Sequence, residues 1–493
     1  MANAPQAVFR CDASPAIGAG HVGRCLALAE ELAANGWKVG FVVGPETLGT
    51  FPTLADAKFD IGITDTSGDA DGEAAFLRDR HPQGADLLVV DHYGLDAPFE
   101  RRCRPWAQQI LVFDDATGRS HDCDILVDAA ASGPSGYRGR VPEHAVVLAG
   151  PGYALLRRSF TARRAAALAR RDGGAVRNIL ISFGASDPFN ATSAALDAIE
   201  GVSADVTVAL SSRAPHLDAV RACLNRQTRL IVDADLAPLA AEADLAIGAP
   251  GSSAFERALL GLPSIMVTLA ENQRGIGELL VRAGAAVDAG TPDNGLATRL
   301  RHMTERLMGD ATMRAGMTQA AQSLVDGQGA IRIAVAATGA VVTPHKAAVR
   351  LRLAQADDET WLLELQQQPQ TRRHFRNPAV PSADEHHRWM RRVLHDSCTL
   401  LLIVQSGDDR AGMVRLDRDE DLGGAARYAV SIAVSPAFYK RGVASAALSL
   451  VRRLMPVAAL DADVVPENVA SIRLFSSAGF RPIGNDLYRS MPS

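Results

Sequence analysis

Apolar residues run along this chain in short unbroken stretches, separated by longer segments in which they recur every three or four positions. Val39-Gly40-Phe41-Val42-Val43, Leu87-Leu88-Val89-Val90, Ile110-Leu111-Val112-Phe113 and Val146-Val147-Leu148 are of the first kind. Their length and lack of alternation predict parallel strands covered on both faces. Val22, Cys25, Leu26, Ala29 and Leu32 draw an apolar stripe of helical period between two of them. The alternation restarts at Asn178-Ile179-Leu180-Ile181-Ser182-Phe183-Gly184 and continues through Asp244-Leu245-Ala246-Ile247-Gly248 and the run from Pro263 to Thr268. Two successive doubly wound α/β domains are expected, over 1–150 and 151–340. A small-residue passage from Gly327 to Lys346 leads to a third domain, 346–493, where Val349-Arg350-Leu351-Arg352-Leu353 alternates like a half-buried strand and Tyr428 to Val434 forms another.

The 493 residues suffice for about three domains. A net charge of -5 supplies no field that would draw nucleic acid or an anionic membrane, so neither is expected as a partner. The six cysteines form no C-x-x-C pair, which argues against a zinc knuckle or disulfide scaffold and for a reducing cytoplasm. Met1 to Gln6 lacks a basic region followed by an apolar core, and no later stretch has the length of a membrane span. Asp-x-Asp recurs at Asp69/Asp71, Asp122/Asp124, Asp233/Asp235 and Asp461/Asp463, too often to mark a metal site, and no metal is expected. Arg163-Arg164 and Arg391-Arg392 read as solvated helix faces.

Candidate chemistry sits where strands meet helices. Ile17-Gly18-Ala19-Gly20-His21-Val22-Gly23-Arg24 is a glycine loop opening a helix, and unpaired first-turn N–H groups make such a place an anion site. Gly18, Gly20 and Gly23 also spell G-x-G-x-x-G, but Asp12 to Ile17 separates the first glycine from its strand, against the dinucleotide fingerprint. Asp91-His92-Tyr93 and Asp114-Asp115 follow strands, so Asp91, Tyr93 and Asp115 are expected to share a crevice with His21, unless they only cap turns. The turn-rich loop carrying Ser186, Asp187 and Asn190 is a further phosphate or sugar contact. Gly251-Ser252-Ser253 offers a diphosphate cradle of free N–H groups and hydroxyls. Glu256 either closes a capping box with Ser253 or holds ribose hydroxyls.

These motifs together, with Ser182-Phe183-Gly184, Arg257 and Asn272-Gln273, resemble the UDP-2,4-diacetamido-2,4,6-trideoxy-β-L-altropyranose hydrolases of pseudaminic acid biosynthesis over roughly the first two thirds of the chain. The resemblance implies the GT-B fold, two Rossmann-like domains, and metal-independent hydrolysis at an anomeric carbon. It makes His21 the general base, with Tyr93 and Asn272 catalytic around the sugar. Asp12, Gly20, Arg24, Asp91, Ser186, Asp187, Asn190, Gly251, Ser252, Ser253 and Glu256 are then the expected contacts to a UDP-activated amino sugar. The chemistry suits the residues, since imidazole can take a proton from water at neutral pH and N–H donors can stabilise departing UDP.

In the last third, Tyr439-Lys440-Arg441-Gly442-Val443-Ala444 forms a basic loop before an Ala/Leu-rich helix, and Asn468-Val469-Ala470-Ser471-Ile472-Arg473-Leu474-Phe475 ends at Gly479-Phe480. The pair resembles the GNAT acetyltransferases, an α+β fold, and implies acetyl-CoA as cosubstrate. Ile432, Val434, Lys440, Arg441, Gly442, Val443, Ala444, Asn468, Ser471 and Phe475 are its expected contacts. Glu385-His386-His387-Arg388-Trp389 resembles the helix of the branch that acetylates the 4-amine of the pseudaminic precursor. Phe475 stands where many relatives carry the tyrosine that protonates the CoA thiolate, leaving Tyr439, Tyr488 or water for that step. The function expected is a bifunctional cytoplasmic enzyme that acetylates the sugar and then releases UDP. A GT-B glycosyltransferase and a non-catalytic acetyl-CoA-binding domain are the rivals.

Overall fold

The computed structural model describes residues 4–14, 17–66, 69–115, 118–171, 173–184, 187–375, 379–394, 396, 398–419, 426–484 and 486–491. The chain divides into two compact units, one made of Gln6–Glu30 and Val39–Ala330, the other of Ile331–Ser493 with Met1–Pro5 and Glu31–Lys38.

The first unit holds two parallel sheets. Strands β1 (Gln6–Cys11), β2 (Lys38–Val43), β3 (Asp60–Ile63), β4 (Ala85–Asp91), β5 (Ala107–Phe113), β6 (Ile125–Asp128) and β7 (Val146–Ala149) lie in the order β3-β2-β1-β4-β5-β6-β7. Strands β8 (Asn178–Ser182), β9 (Asp205–Leu210), β10 (Thr228–Val232), β11 (Leu245–Gly248), β12 (Ser264–Met266) and β13 (Ala286–Asp288) lie in the order β10-β9-β8-β11-β12-β13. The order reverses at β1/β4 and at β8/β11, the switch points where loops diverge and a ligand crevice opens. Two Rossmann-like sheets in one unit are the GT-B arrangement. Leu87, Leu88, Val89 and Val90 are fully buried, as an unbroken apolar run requires, and each contributes about 1.5–3 kcal/mol by leaving water.

Arg164 is not the solvated residue its neighbourhood suggested. Its guanidinium donates to the carbonyls of Leu259 and Val325, both at 2.7 Å, where the helices Ser252–Leu259 and Ala311–Leu324 end. Last-turn carbonyls lack intrahelical partners, and a cation satisfies them better than a lone water.

The second unit is built on β14 (Val341–Val342), β15 (Ala348–Leu353), β16 (Thr399–Ser406), β17 (Asp409–Asp419), β18 (Arg427–Val434), β19 (Ala459–Asp463), β20 (Arg481–Pro482) and β21 (Leu487–Ser490), in the order β14-β15-β16-β17-β18-β19-β21-β20. The passage expected between domains carries the helix Gly329–Ala336 and β14. Pairing is antiparallel except between β18 and β19, which run parallel and join only at Arg427/Ala459, Tyr428/Leu460 and Ala429/Asp461. Beyond Ala429, β18 keeps its pairing to β17 and parts from β19.

Candidate functional sites

The helix Gly20–Ala34 starts at the sequence Gly-His, because Gly18 (φ +78°) turns the chain off a bridge to Ser14. Its buried stripe of Val22, Cys25, Leu26, Ala29 and Leu32 fixes which way His21 faces. His21 is 6% exposed, with Nδ1 2.5 Å from Asp91 Oδ1 at the end of β4. Asp91 also accepts from Arg24 Nε (2.5 Å) and Nη2 (2.6 Å). Burial would raise the Asp91 carboxyl, but Arg24 and His21 outweigh it and hold the group well below the usual carboxylate range. An ionised Asp91 accepts a hydrogen bond from His21 Nδ1–H, which leaves Nε2 as the ring nitrogen that faces away from the carboxylate. The structure thus brings Asp91 to His21, in the crevice where its place after a strand put it, and adds Arg24 as a second partner of the same carboxylate.

Tyr93 stands edge-on to His21, ring centroids 4.7 Å apart. Its hydroxyl lies 3.3 Å from Asp115 Oδ2 and accepts from Asn272 Nδ2 at 3.1 Å. Burial and Asp115 push the phenol up to about 12, so it stays protonated at neutral pH. His21, Tyr93 and Asn272, 251 positions apart at the extremes, are brought together by loops from both sheets. A Cβ on Gly20 would stand 3.4 Å from Ser252 Oγ, so the histidine loop and the cradle loop face each other closely.

The helix Ser252–Leu259 follows β11, with Gly251 as N-cap and so no side-chain cap hydrogen bond at its start. Glu256 makes no capping box with Ser253, because the helix begins two residues before that pattern requires, with Gly251 and not Ser253 as its N-cap. The carboxylate reaches Arg157 Nε at 3.0 Å instead, and burial raises it despite that pairing. Arg257 braces the loop from behind, donating to Ala249 O (2.9 Å) and Ser253 Oγ (3.3 Å). At the helix Ala191–Ala198 the chain supplies its own anion: Asp187, buried, accepts from the N–H groups of Ala191 (2.9 Å) and Thr192 (2.8 Å). That closes the helix end to an outside phosphate. Asn190 sits in the left-handed region (φ +53°) and accepts from Ser193 Oγ, while Ser186 lies outside the described residues. Asp12 is likewise engaged, by Arg10, His92 and the N–H of Gly44.

In the second unit the parting of β18 from β19 opens a cavity of about 1690 Å³. Ile432, Val434, Lys440, Gly442, Val443, Ala444, Asn468, Ser471 and Phe475 line it. Arg441 does not; its guanidinium lies 5.5 Å from the Phe438 ring centroid. Gly442 (φ +78°) is the N-cap of the helix Val443–Leu454 and, having no side chain, makes no cap hydrogen bond to it. Asn468 caps the helix Val469–Ser477 by accepting from Ser471 N–H at 3.1 Å. Phe475 packs edge-on against Phe480. Of the two tyrosines considered for proton delivery, Tyr439 lines the cavity and Tyr488 does not.

Among the described residues no group of three or more His, Cys, Asp or Glu side chains could hold a metal ion, and no helix is long and apolar enough to cross a membrane.

Residues 348–481 match the acetyltransferase (GNAT) domain model. The chain is 28% identical over 265 residues to the spore coat polysaccharide biosynthesis protein SpsG of Bacillus subtilis, covering 52% of this chain and 77% of that protein. It is 27% identical over 286 residues to the UDP-2,4-diacetamido-2,4,6-trideoxy-beta-L-altropyranose hydrolase of Campylobacter jejuni, covering 57% of this chain and 98% of that protein. A solved structure of MurG from Acinetobacter baumannii aligns with 67% of this chain and 98% of its own, at 16% identity and a TM-score of 0.47. The chain therefore joins a GT-B unit, with relatives in sugar biosynthesis, to a C-terminal GNAT acetyltransferase domain.

Proposed function

We propose that the protein performs two neighbouring steps on one UDP-linked amino sugar of the pseudaminic acid route. The GNAT domain N-acetylates the 4-amine with acetyl-CoA. The GT-B unit then hydrolyses UDP-2,4-diacetamido-2,4,6-trideoxy-β-L-altropyranose to the free sugar and UDP. The observation that carries the hydrolase reading is the 2.5 Å contact of His21 Nδ1 with Asp91 beside Tyr93 and Asn272.

In the hydrolytic step His21 Nε2 takes a proton from water, the water oxygen bonds to the anomeric carbon, and the bond to the UDP oxygen breaks with its electron pair leaving on UDP. The N–H groups at Ser252 and Ser253, at a helix start with no side-chain cap, receive that charge. Tyr93 and Asn272 hold the sugar. In the acetyl transfer the amine attacks the thioester carbonyl, the C–S bond breaks, and the amine proton is lost as the thiolate gains one. The uncapped start of the helix Val443–Leu454 takes the CoA pyrophosphate. A phenyl ring at Phe475 donates no proton, which favours, as second reading, a domain that binds acetyl-CoA without turnover.

The test is mass spectrometry of products after offering UDP-4-amino-4,6-dideoxy-L-AltNAc with and without acetyl-CoA. The reading expects free diacetamido sugar and UDP only with acetyl-CoA present. UDP released only when an acceptor is added would make the unit a glycosyltransferase. An unacetylated product would leave the second domain as a binding module.

A further inference from the structure

The segment that carries Tyr93 is held by a side chain outside the site. Arg119, in the loop after β5, directs Nη1 at three carbonyls of the loop after β4, those of His92 (3.1 Å), Tyr93 (3.1 Å) and Leu95 (3.4 Å). Its Nε and Nη2 donate to Asp114 Oδ1 at 3.1 and 2.5 Å, and its guanidinium lies 5.7 Å from the centre of the Tyr93 ring. Asp114 is itself buried, with Oδ2 3.7 Å from His121 Nε2, and His121 Nδ1 lies 2.7 Å from Glu100 Oε1. On its other side the segment is tied by His92. The N–H of Gly94 donates to His92 Nδ1 at 3.0 Å, so Nε2 carries the ring proton and donates to Asp12 Oδ2 at 3.1 Å.

From this arrangement we infer that Arg119 is a positioning residue for hydrolysis: it fixes the 92–95 segment so that the Tyr93 hydroxyl meets Asn272 and its ring edge meets His21. The inference rests on the reading of His21, Tyr93 and Asn272 as the hydrolase site. A loop carbonyl otherwise paired with water would let the phenol swing, and a misplacement of about 1 Å can cost about 100-fold in rate. Only a planar fork can bond a carboxylate with one edge and backbone carbonyls with the other. A lysine ammonium in its place keeps the ion pair to Asp114 and loses the clamp.

The experiment follows UDP release from the diacetamido nucleotide sugar by the full chain and by Tyr93→Phe, Arg119→Lys, Arg119→Gln and the double variant Arg119→Gln/Tyr93→Phe, with thermal unfolding and UDP affinity measured alongside. Each Arg119 variant is expected to lose about 10- to 100-fold in kcat with UDP affinity within about 3-fold of the parent. The double variant is expected to be no slower than the slower single one, because both changes disable the same phenol. Arg119→Lys keeps the test open where Arg119→Gln fails to fold. Wild-type kcat in Arg119→Lys, or effects that multiply in the double variant, would overturn the inference while leaving the site intact. Full UDP release by Tyr93→Phe together with His21→Ala would overturn the site reading itself.

Discussion

Around His21 the working groups are side chains held by other side chains. Asp91 binds both the imidazole and Arg24, Asp115 receives the Tyr93 hydroxyl, and Asn272 donates to the same phenol from the far sheet. In the C-terminal cavity the corresponding work falls to the backbone: a sheet that parts after Ala429, a glycine at φ +78°, and a helix start with no side-chain cap. The contrast teaches where each region is vulnerable. Charges set in fixed geometry fail when one is removed and the fold stays. A site made of main-chain N–H groups tolerates many side-chain changes and fails when a Cβ enters.

The largest effect is expected at His21. His21→Ala should lower UDP release by about 10²- to 10⁴-fold while UDP still binds, since a general base acts in the transition state and not in ground-state affinity. Asp91→Asn should fall in the same range, because a carboxamide holds the wrong tautomer and leaves Arg24 half-paired. UDP release at the parental rate in His21→Ala would take the base out of the mechanism.

Next comes Gly442. A Cβ there would stand 3.1 Å from Pro344 Cδ and 3.4 Å from Thr343 Cβ, on a backbone that β-branched residues avoid. With strain of about 1–3 kcal/mol, Gly442→Val should raise the KM for acetyl-CoA by about 10-fold or more. Hydrolysis of the acetamido sugar should continue at the parental rate. Acetyl transfer undisturbed by valine would show that the loop does not cradle CoA.

A smaller effect is expected at Asp187, which fills a helix start that the sequence offered as a sugar contact. Losing its two N–H acceptor bonds should cost about 0.5–2 kcal/mol of stability in Asp187→Ala and leave the KM for the nucleotide sugar within about 2-fold. A tenfold rise in KM with unchanged unfolding would restore the contact reading.

What could be read in advance follows the same divide. The apolar runs located strands because an unbroken Val/Leu stretch has few other places to go: Leu87 to Val90 is the buried centre of β4, and Tyr428 to Val434 all but spans β18. The Gly18–Gly20 loop and the Gly442 loop were legible because a positive φ or an open helix start demands glycine locally. The resemblance to known families, not spacing, supplied the roles of Tyr93 and Asn272. That Asp91 faces His21 was legible from its place after a strand, but the ion pairs of Arg24 and Glu256 were not, because each closes over a long sequence separation: 67 positions for Arg24–Asp91 and 99 for Arg157–Glu256. Arg119 carried no signal at all. A single arginine between a glycine and a serine looks like any polar loop residue until the carbonyls it reaches are seen.

The smallest effect concerns pH and the stability of the side-chain-built region. His121 lies buried between Glu100 and Asp114, with Arg119 beyond the latter and the Tyr137 hydroxyl 3.3 Å from the Asp114 carbonyl. Burial alone would lower its pKa, but the two carboxylates prevail and push it up to about 9, against 6.5 for an unperturbed histidine. The folded state therefore holds this proton more tightly than the unfolded chain. Its stabilising contribution is complete below about pH 6.5 and is lost as pH rises through about 9, amounting to roughly 1–3 kcal/mol. Urea unfolding of wild type and His121→Gln should differ most at pH 6 and converge toward pH 10. Cys123 nearby stays a neutral thiol throughout, because burial raises it beyond that window, and it does not blur the comparison. A gap that widened with rising pH would mean that His121 is neutral in the fold, and that Asp114 holds Arg119 without its help.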